Sequence, residues 1–215
     1  MPPAVTPRRR GPYAKTAGVR QKIVDAATLA FAESGFHGTT MAAVARRAGI
    51  SHTGLLHHFA TKEELLVAVL RGQDQRSHDY LEAHRAIDPE ANPLDMLSGM
   101  LAIAVEECTT AIAGASAVLL GEAVSPDHPA HSHFAERYKT ARRFYTRVYT
   151  ALAQRDALRT RLSPETLADI TTAFLDGLRT RHLFAPADID IAAVVHDFVD
   201  SLILTPAAAA TRPPH

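Results

Sequence analysis

Residues 23–66 read IVDAATLAFAESGFHGTTMAAVARRAGISHTGLLHHFATKEELL, and the fold of the chain turns on them. Ile23, Ala26, Ala27, Ala30 and Phe31 recur at three- and four-residue spacing, the mark of a helix burying one face. Gly35 ends that helix, because glycine tolerates left-handed dihedrals. Thr40 stands where a second, short helix needs an N-cap. This helix turns Val44, Ala45 and Ala48 inward and Arg46 and Arg47 outward, and stops at Gly49. Ser51 caps a third helix carrying Leu55, Leu56 and Phe59. Thr61 opens a fourth with Glu64 three residues on, the spacing of a capping box.

Two short helices joined by the turn Ala48-Gly49-Ile50-Ser51 make a helix-turn-helix from Thr40 to Phe59. Small residues in the turn let the helices pack closely. Short helix starts offer N–H groups and hydroxyls to phosphates, and the second helix matches the width of the DNA major groove.

The same stretch closely resembles the DNA-binding domain of the TetR family of bacterial transcriptional regulators. The matching residues are Ala26-Ala27, Phe31, Gly35-Phe36, Thr39-Thr40, Val44-Ala45, Ala48 through Ser51, Leu55, His57-His58-Phe59 and Lys62-Glu63. The resemblance implies that Thr40, His58 and Lys62 hold the DNA backbone, each a chemically apt neighbour for phosphate. It implies that His52 and Thr53 read base edges from the exposed start of the recognition helix, beside Ser51, Gly54 and His57. Two positions depart from the family pattern. Leu56 stands where the family usually has Tyr, removing a phenolic hydroxyl, and Gly54 lies inside the recognition helix. Either Gly54 admits the backbone close to the bases or it is merely tolerated.

The formal charge is zero, but residues 1–72 hold ten Lys and Arg against four Asp and Glu, and residues 73–215 hold thirteen against nineteen. A basic front on an acidic body places one end against a polyanion. Residues 1–17 are Pro-rich and basic and are expected to be disordered. Their Arg8, Arg9, Arg10 and Lys15 either enter an adjacent minor groove or form a solvated tail. No apolar run follows the N-terminal charges as in a secretory signal, and no window nears the roughly 18 apolar residues of a membrane span. A single cysteine, Cys108, suits a reducing compartment. The expected location is the cytoplasm.

Beyond the fourth helix, expected to run from Thr61 to about Arg85 and to break at Asp88-Pro89, the chain reads as helices near 94–113, 115–124, 130–157, 164–184 and 189–204. Breaks fall at Gly114, Ser125-Pro126, Ser163-Pro164 and Pro186. The expected fold is therefore all-α: a three-helix DNA-binding domain over 18–64, joined by a long helix to a helical ligand-binding and dimerisation domain over 65–206, with a flexible tail over 207–215.

The last two helices carry apolar residues on more than one face, among them Leu167, Phe174, Leu178, Phe198 and Leu202. Extra stripes call for a partner, and the resemblance places a symmetric four-helix interface there, with Gly177 permitting close approach or simply weakening its helix. The 94–113 helix is apolar nearly all round and should be central; in the family a similar helix walls a ligand pocket. Met100, Glu107, Tyr145 and Tyr149 are the candidate pocket residues. Glu106 and Glu107, if buried, need partners such as Arg142 and Arg143; otherwise they lie at the surface.

His128, His131 and His133 in HPAHSH invite a metal reading, but a Pro-bounded loop entering a helix suits three convergent ligands poorly. Cys108 reads as a packed thiol. No metal or cofactor is expected, and no nucleophile–base pair or phosphate-binding glycine loop supports an enzyme. The expected protein is a homodimeric repressor of a palindromic double-stranded operator, released by an apolar or amphipathic small molecule. A DNA binder without ligand control and, more remotely, a helical enzyme are the alternatives.

Overall fold

Helices account for nearly all of the residues described by the computed structural model, 12–83 and 92–204. The arm carrying Arg8, Arg9 and Arg10, the break at Asp88-Pro89 and the 207–215 tail lie outside the described residues.

Helix α1 spans Pro12–Gly38. It starts ahead of Val19, so residues 12–17 are helical where disorder was expected. The reason is local: proline suits a first helical turn, where its missing N–H would be unpaired anyway, and Tyr13 through Ala17 contain no breaker. At Gly35 the backbone leaves the helix (φ 67, ψ −177), as expected, before one further turn. The buried Thr39 hydroxyl secures this break, its proton shared between the carbonyls of Gly35 at 2.7 Å and Ala30 at 3.1 Å.

Helices α2 (Met41–Ala48) and α3 (His52–His58) follow with the expected caps. Thr40 Oγ1 accepts from Ala43 N at 3.2 Å, and Ser51 Oγ accepts from Gly54 N at 3.0 Å. Between them Gly49 adopts φ 70 and ψ 33, and Ile50 N donates to Ala45 O at 3.0 Å. Only a residue at ease with positive φ closes a helix this way. Helix α4 (Lys62–Ala83) starts with the two-way lock read from sequence: Glu64 N donates to Thr61 Oγ1 at 3.1 Å, and Glu64 Oε2 accepts from Ala60 N at 2.9 Å.

Helices α5 (Pro93–Cys108) and α6 (Ala111–Glu122) part at Thr109-Thr110, earlier than the expected break at Gly114. The two threonine hydroxyls donate to Glu106 O and Glu107 O, each at 2.9 Å, so side chains close the last turn of α5. Gly114 instead lies within α6, facing Ala32 of α1. Helix α7 (His131–Ala153) ends short of 157 in a turn where Asp156 takes φ 51. Helix α8 (Pro164–Phe184) has the expected limits, and α9 covers Ile191–Leu202. Arg159 N donates to Leu202 O and Leu204 N to Ala157 O, both at 2.8 Å, fastening the end of α9 to the turn after α7. No single helix among the described residues is long and apolar enough to cross a membrane.

Two cores form. The first packs α1, α2 and α3 on the front half of α4, through Phe31, Val44, Leu55, Phe59, Leu66 and Leu70, and continues into Leu119, Ala123 and Phe134 of the body. The second joins α5, α7, α8 and α9 around Leu97, Val148, Tyr149 and Leu167. The Leu, Val and Phe side chains among them each contribute roughly 1.5–3 kcal/mol by leaving water.

Candidate nucleic-acid interface and effector cavity

Burial separates the two faces of α3. Leu55 and Phe59 are 0% and 1% exposed and hold the helix to the core. His52, Thr53, Leu56 and His57 face outward, with Ser51 and Thr40 exposed beside them at two helix starts. The exposed side chains of α3 are thus flanked by two hydroxyl-bearing caps, Ser51 and Thr40. Gly54 gains a third explanation here. A Cβ at this position would stand 3.0 Å from Ser51 Oγ, crowding the oxygen that caps the helix.

Lys62 does more than its sequence position suggests. Its Nζ donates to Phe36 O at 2.7 Å and to Thr39 O at 3.0 Å, and lies 4.3 Å from the centre of the Phe36 ring. Two of its three N–H donors thus tie the start of α4 to the end of α1. Arg20, which the sequence reading passed over, donates from Nη1 to His58 O at 2.9 Å and stacks 4.0 Å above Phe59. It covers the C-terminal end of α3 from α1. A lone arginine among polar helix residues carries no signal of such a role in the sequence.

In the body a cavity of about 360 Å³ opens among α4, α5, α6, α7 and α8. Met100, Glu107 and Tyr145 line it. Tyr149 does not: it is fully buried, with its hydroxyl 2.8 Å from Thr171 Oγ1. Arg142 and Arg143 also turn away, to Asp169 at 2.8 Å and Glu136 at 3.2 Å. Residues the sequence reading missed supply the cavity's ion pairs. Arg137 lies 3.5 Å from Asp74 and 4.0 Å from Glu107, and Arg179 lies 3.2 Å from Asp176. Tyr138 donates to Asp176 at 2.5 Å, and burial, with this carboxylate beside it, pushes the phenol well above its ordinary range. Burial likewise raises Tyr145 and the Cys108 thiol, so the thiol stays protonated.

The three histidines of HPAHSH diverge. His128 Nδ1 accepts from Ala130 N at 3.1 Å, His131 Nδ1 contacts Ala123 O at 2.8 Å, and His133 Nε2 lies 2.9 Å from Asp74. Among the described residues no group of three or more His, Cys, Asp or Glu is placed to hold a metal.

The interface expected on α8 and α9 divides. Leu167 and Leu178 are 0% and 5% exposed and belong to the protomer core, because α8 lies along α7 and turns 167, 171, 175 and 178 inward. The opposite stripe is open: Ile170, Gly177 and Phe184 are exposed, the last at 87%, with Phe174 half-buried among them. Phe174 stacks on Phe198 of α9 at 4.3 Å, and Leu202 is half-buried nearby.

Comparison with known proteins identifies the class. Residues 23–69 match the family model for bacterial regulatory proteins of the tetR family, and residues 95–204 match that for the BetI-type transcriptional repressor C-terminal domain. The chain belongs to the TetR family of bacterial transcriptional regulators, DNA-binding proteins and not enzymes. It is 38% identical over 89 residues to the transcriptional repressor KstR2 of Mycobacterium tuberculosis, a match spanning 40% of this chain and 42% of that protein. It is 28% identical over 189 residues to the regulator TtgR of Pseudomonas putida, over 85% of this chain and 88% of that one. The fold is similar to that in a SmeT–triclosan complex, with TM-score 0.66 at 16% identity over 92% of this chain and 100% of the other.

Proposed function

We propose that the protein is a cytoplasmic homodimeric repressor that binds a palindromic operator and is controlled by a small molecule held in the body cavity. The observation that carries this reading is the course of α4. Its front half, with Leu65, Leu66, Val69 and Leu70, is packed in the core of the helix-turn-helix. Its back half, with Asp74, Ser77, His78 and Leu81, walls the cavity. One helix thus shares a side with the DNA-reading unit and with the space a ligand would fill. An occupant that pushes on its back half tilts the front half and re-aims α3.

The similarly folded SmeT in complex with triclosan supports a fold that accepts small molecules. The open α8–α9 stripe supports pairing with a second copy about a two-fold axis. The phosphate-binding roles proposed for Thr40, His58 and Lys62, and base reading by His52 and Thr53, follow from their place on or beside α3. Arg8, Arg9 and Arg10 would add phosphate or minor-groove contacts.

Selection of duplexes from a random pool by the purified protein tests the proposal. It should return an inverted repeat whose half-sites lie about one turn apart, roughly 34–36 Å. Sedimentation should show a dimer on and off DNA. Recovery of unrelated sequences by a monomer would overturn the reading.

A further inference from the structure

We propose that Glu122 is a positioning residue that sets how the DNA-binding domain sits on the body, and that His128 releases it in acid by drawing its carboxylate away. The effect on operator binding rests on the dimeric reading above. One oxygen serves two neighbours. Glu122 Oε2 accepts from Phe36 N at 2.7 Å and lies 3.6 Å from His128 Nε2, too far for a hydrogen bond. Because His128 Nδ1 accepts from Ala130 N at 3.1 Å, the neutral ring carries its proton on Nε2. That Nε2 is buried and has no hydrogen-bond partner, although the carboxylate is its near neighbour. Two donors, one on α1 and one in the turn between α6 and α7, thus stand about a single oxygen, and only Phe36 holds it.

Acid reverses that preference. A second proton enters the ring at Nδ1 and displaces the Ala130 N–H there. The imidazolium is then 3.6 Å from the carboxylate, and a charge-assisted Nε2–H bond is stronger than one from a neutral amide. Closing that gap takes Oε2 from the Phe36 N–H. The end of α1 stays tied to Lys62 within its own domain but loses this bond to the body. The other titratable groups at this corner are His37 of α1, with its ring centre 5.5 Å from that of His128, His131 of α7 on Ala123 O, and Lys62 of α4 over the Phe36 ring. Asp127, beside His128 in the turn, is exposed. Burial lowers the His128 pKa from 6.5, against the pull of Glu122 and with the help of His37, so release falls below that value. A dimer must present both α3 helices at one spacing. A domain that moves more freely on its body must be ordered again on binding, at a cost in affinity.

The test uses the full-length protein between about pH 7.5 and about pH 5. Amide exchange at Phe36, corrected for its intrinsic rate at each pH, reads the Glu122 bond itself. It is expressed relative to Ile50, whose N–H is bonded to Ala45 O within the DNA-binding domain. In the parent this relative protection should fall about fivefold or more across the interval. In Glu122→Gln, which keeps an acceptor without the charge, and in His128→Gln, which takes up no proton, it should stay level. Either variant alone suffices for the comparison. Affinity for the inverted-repeat duplex returned by selection should fall in acid about threefold or more further for the parent than for the variants. His52, His57 and His58 are present in all three proteins, so their own titration on DNA cancels from this difference. Relative protection that stays level in the parent, or falls alike in all three proteins, overturns the proposal. So does a loss of protection with no excess loss of affinity. A monomer on the duplex overturns the dimeric reading whatever Phe36 does, whereas a dimer with level Phe36 protection overturns the role of Glu122 and His128 alone.

Discussion

Glu122, the last residue of α6, accepts a hydrogen bond through Oε2 from the backbone N–H of Phe36 at 2.7 Å, joining the body to the end of α1 across 86 residues of sequence. Gly35 makes room for it. A Cβ at Gly35 would fall within the Glu122 carboxylate, on a backbone already at φ 67. On the far side of Phe36, its carbonyl accepts from Lys62. A continuous path of hydrogen bonds thus runs from α6, two residues beyond the cavity-lining Leu120, to the start of α4.

Gly35→Ala should therefore destabilise the protein by about 2–4 kcal/mol, since the left-handed backbone alone costs a side chain roughly 1–2 kcal/mol and the carboxylate must also move. Glu122→Gln keeps an acceptor for Phe36 N–H and should cost about 1 kcal/mol or less, whereas Glu122→Ala should cost about 1–3 kcal/mol by leaving that donor unmet. Denaturant unfolding of the three variants checks the order. A Gly35→Ala protein as stable as the parent would remove the basis of this account.

His128 gives the same junction a pH dependence. It is buried, its Nδ1 accepts from Ala130 N, its ring meets Phe36 and His37 edge-on, and Glu122 lies 3.6 Å from Nε2. Burial, with His37 adding to it and Glu122 opposing it, lowers the imidazole pKa from 6.5. A folded pKa below the unfolded one means the unfolded chain binds the proton more readily. The stabilisation is thus complete above 6.5 and is lost as pH falls from there through the lowered folded value. Lys62 above the Phe36 ring and His131 on Ala123 O are the other titratable groups packed at this corner. Thermal midpoints of the parent should drop across this interval more steeply than those of His128→Gln; parallel curves would assign the drop to other groups.

Lys62→Met should lower stability by about 1.5–3 kcal/mol, the scale of hydrogen bonds to a charged group, and should weaken binding to all duplexes alike. His52→Ala and Thr53→Ala should leave stability unchanged and re-rank operator variants, by roughly 1–3 kcal/mol at each base pair read directly. Unfolding curves paired with binding to a panel of single-base variants separate the two effects. Re-ranking by Lys62→Met, with none from the other two, would reverse the proposed roles.

Two classes of substitution on α8 should behave oppositely. Leu167→Ala and Leu178→Ala empty the protomer core and should cost about 2–5 kcal/mol of stability. Ile170→Glu and Phe184→Glu touch the open stripe and should yield folded monomers that bind operator poorly. Gly177→Ala meets nothing within 4 Å in the protomer, so any loss of dimer it causes comes from the partner. Sedimentation equilibrium with helical content as the control reads each outcome; dimers that survive both glutamates would place the interface elsewhere.

The helix-turn-helix was legible from residues 23–66 because every signal there is local. Caps at Thr40, Ser51 and Thr61, the left-handed stop at Gly49 and the apolar spacing of Ile23 to Phe31 act within one or two helical turns. The same holds for α8, whose Ser163-Pro164 start and limits match the sequence reading. What needed the tertiary structure is set by neighbours distant along the chain. Arg137 rather than Arg142 or Arg143 approaches Glu107 because α7 presents a different side to α5 than to solvent, and spacing along one amphipathic helix does not say which neighbour each side meets. Leu167 and Ile170 are both apolar and three residues apart, yet one is core and the other open, since only the packing of α8 on α7 assigns the stripes. The Glu122–Phe36 bond and the placement of Lys62 are of the same kind. A carboxylate, a backbone amide and an ammonium carry no local preference for one another across the chain, and meet only once α1, α4 and α6 have packed around a shared core.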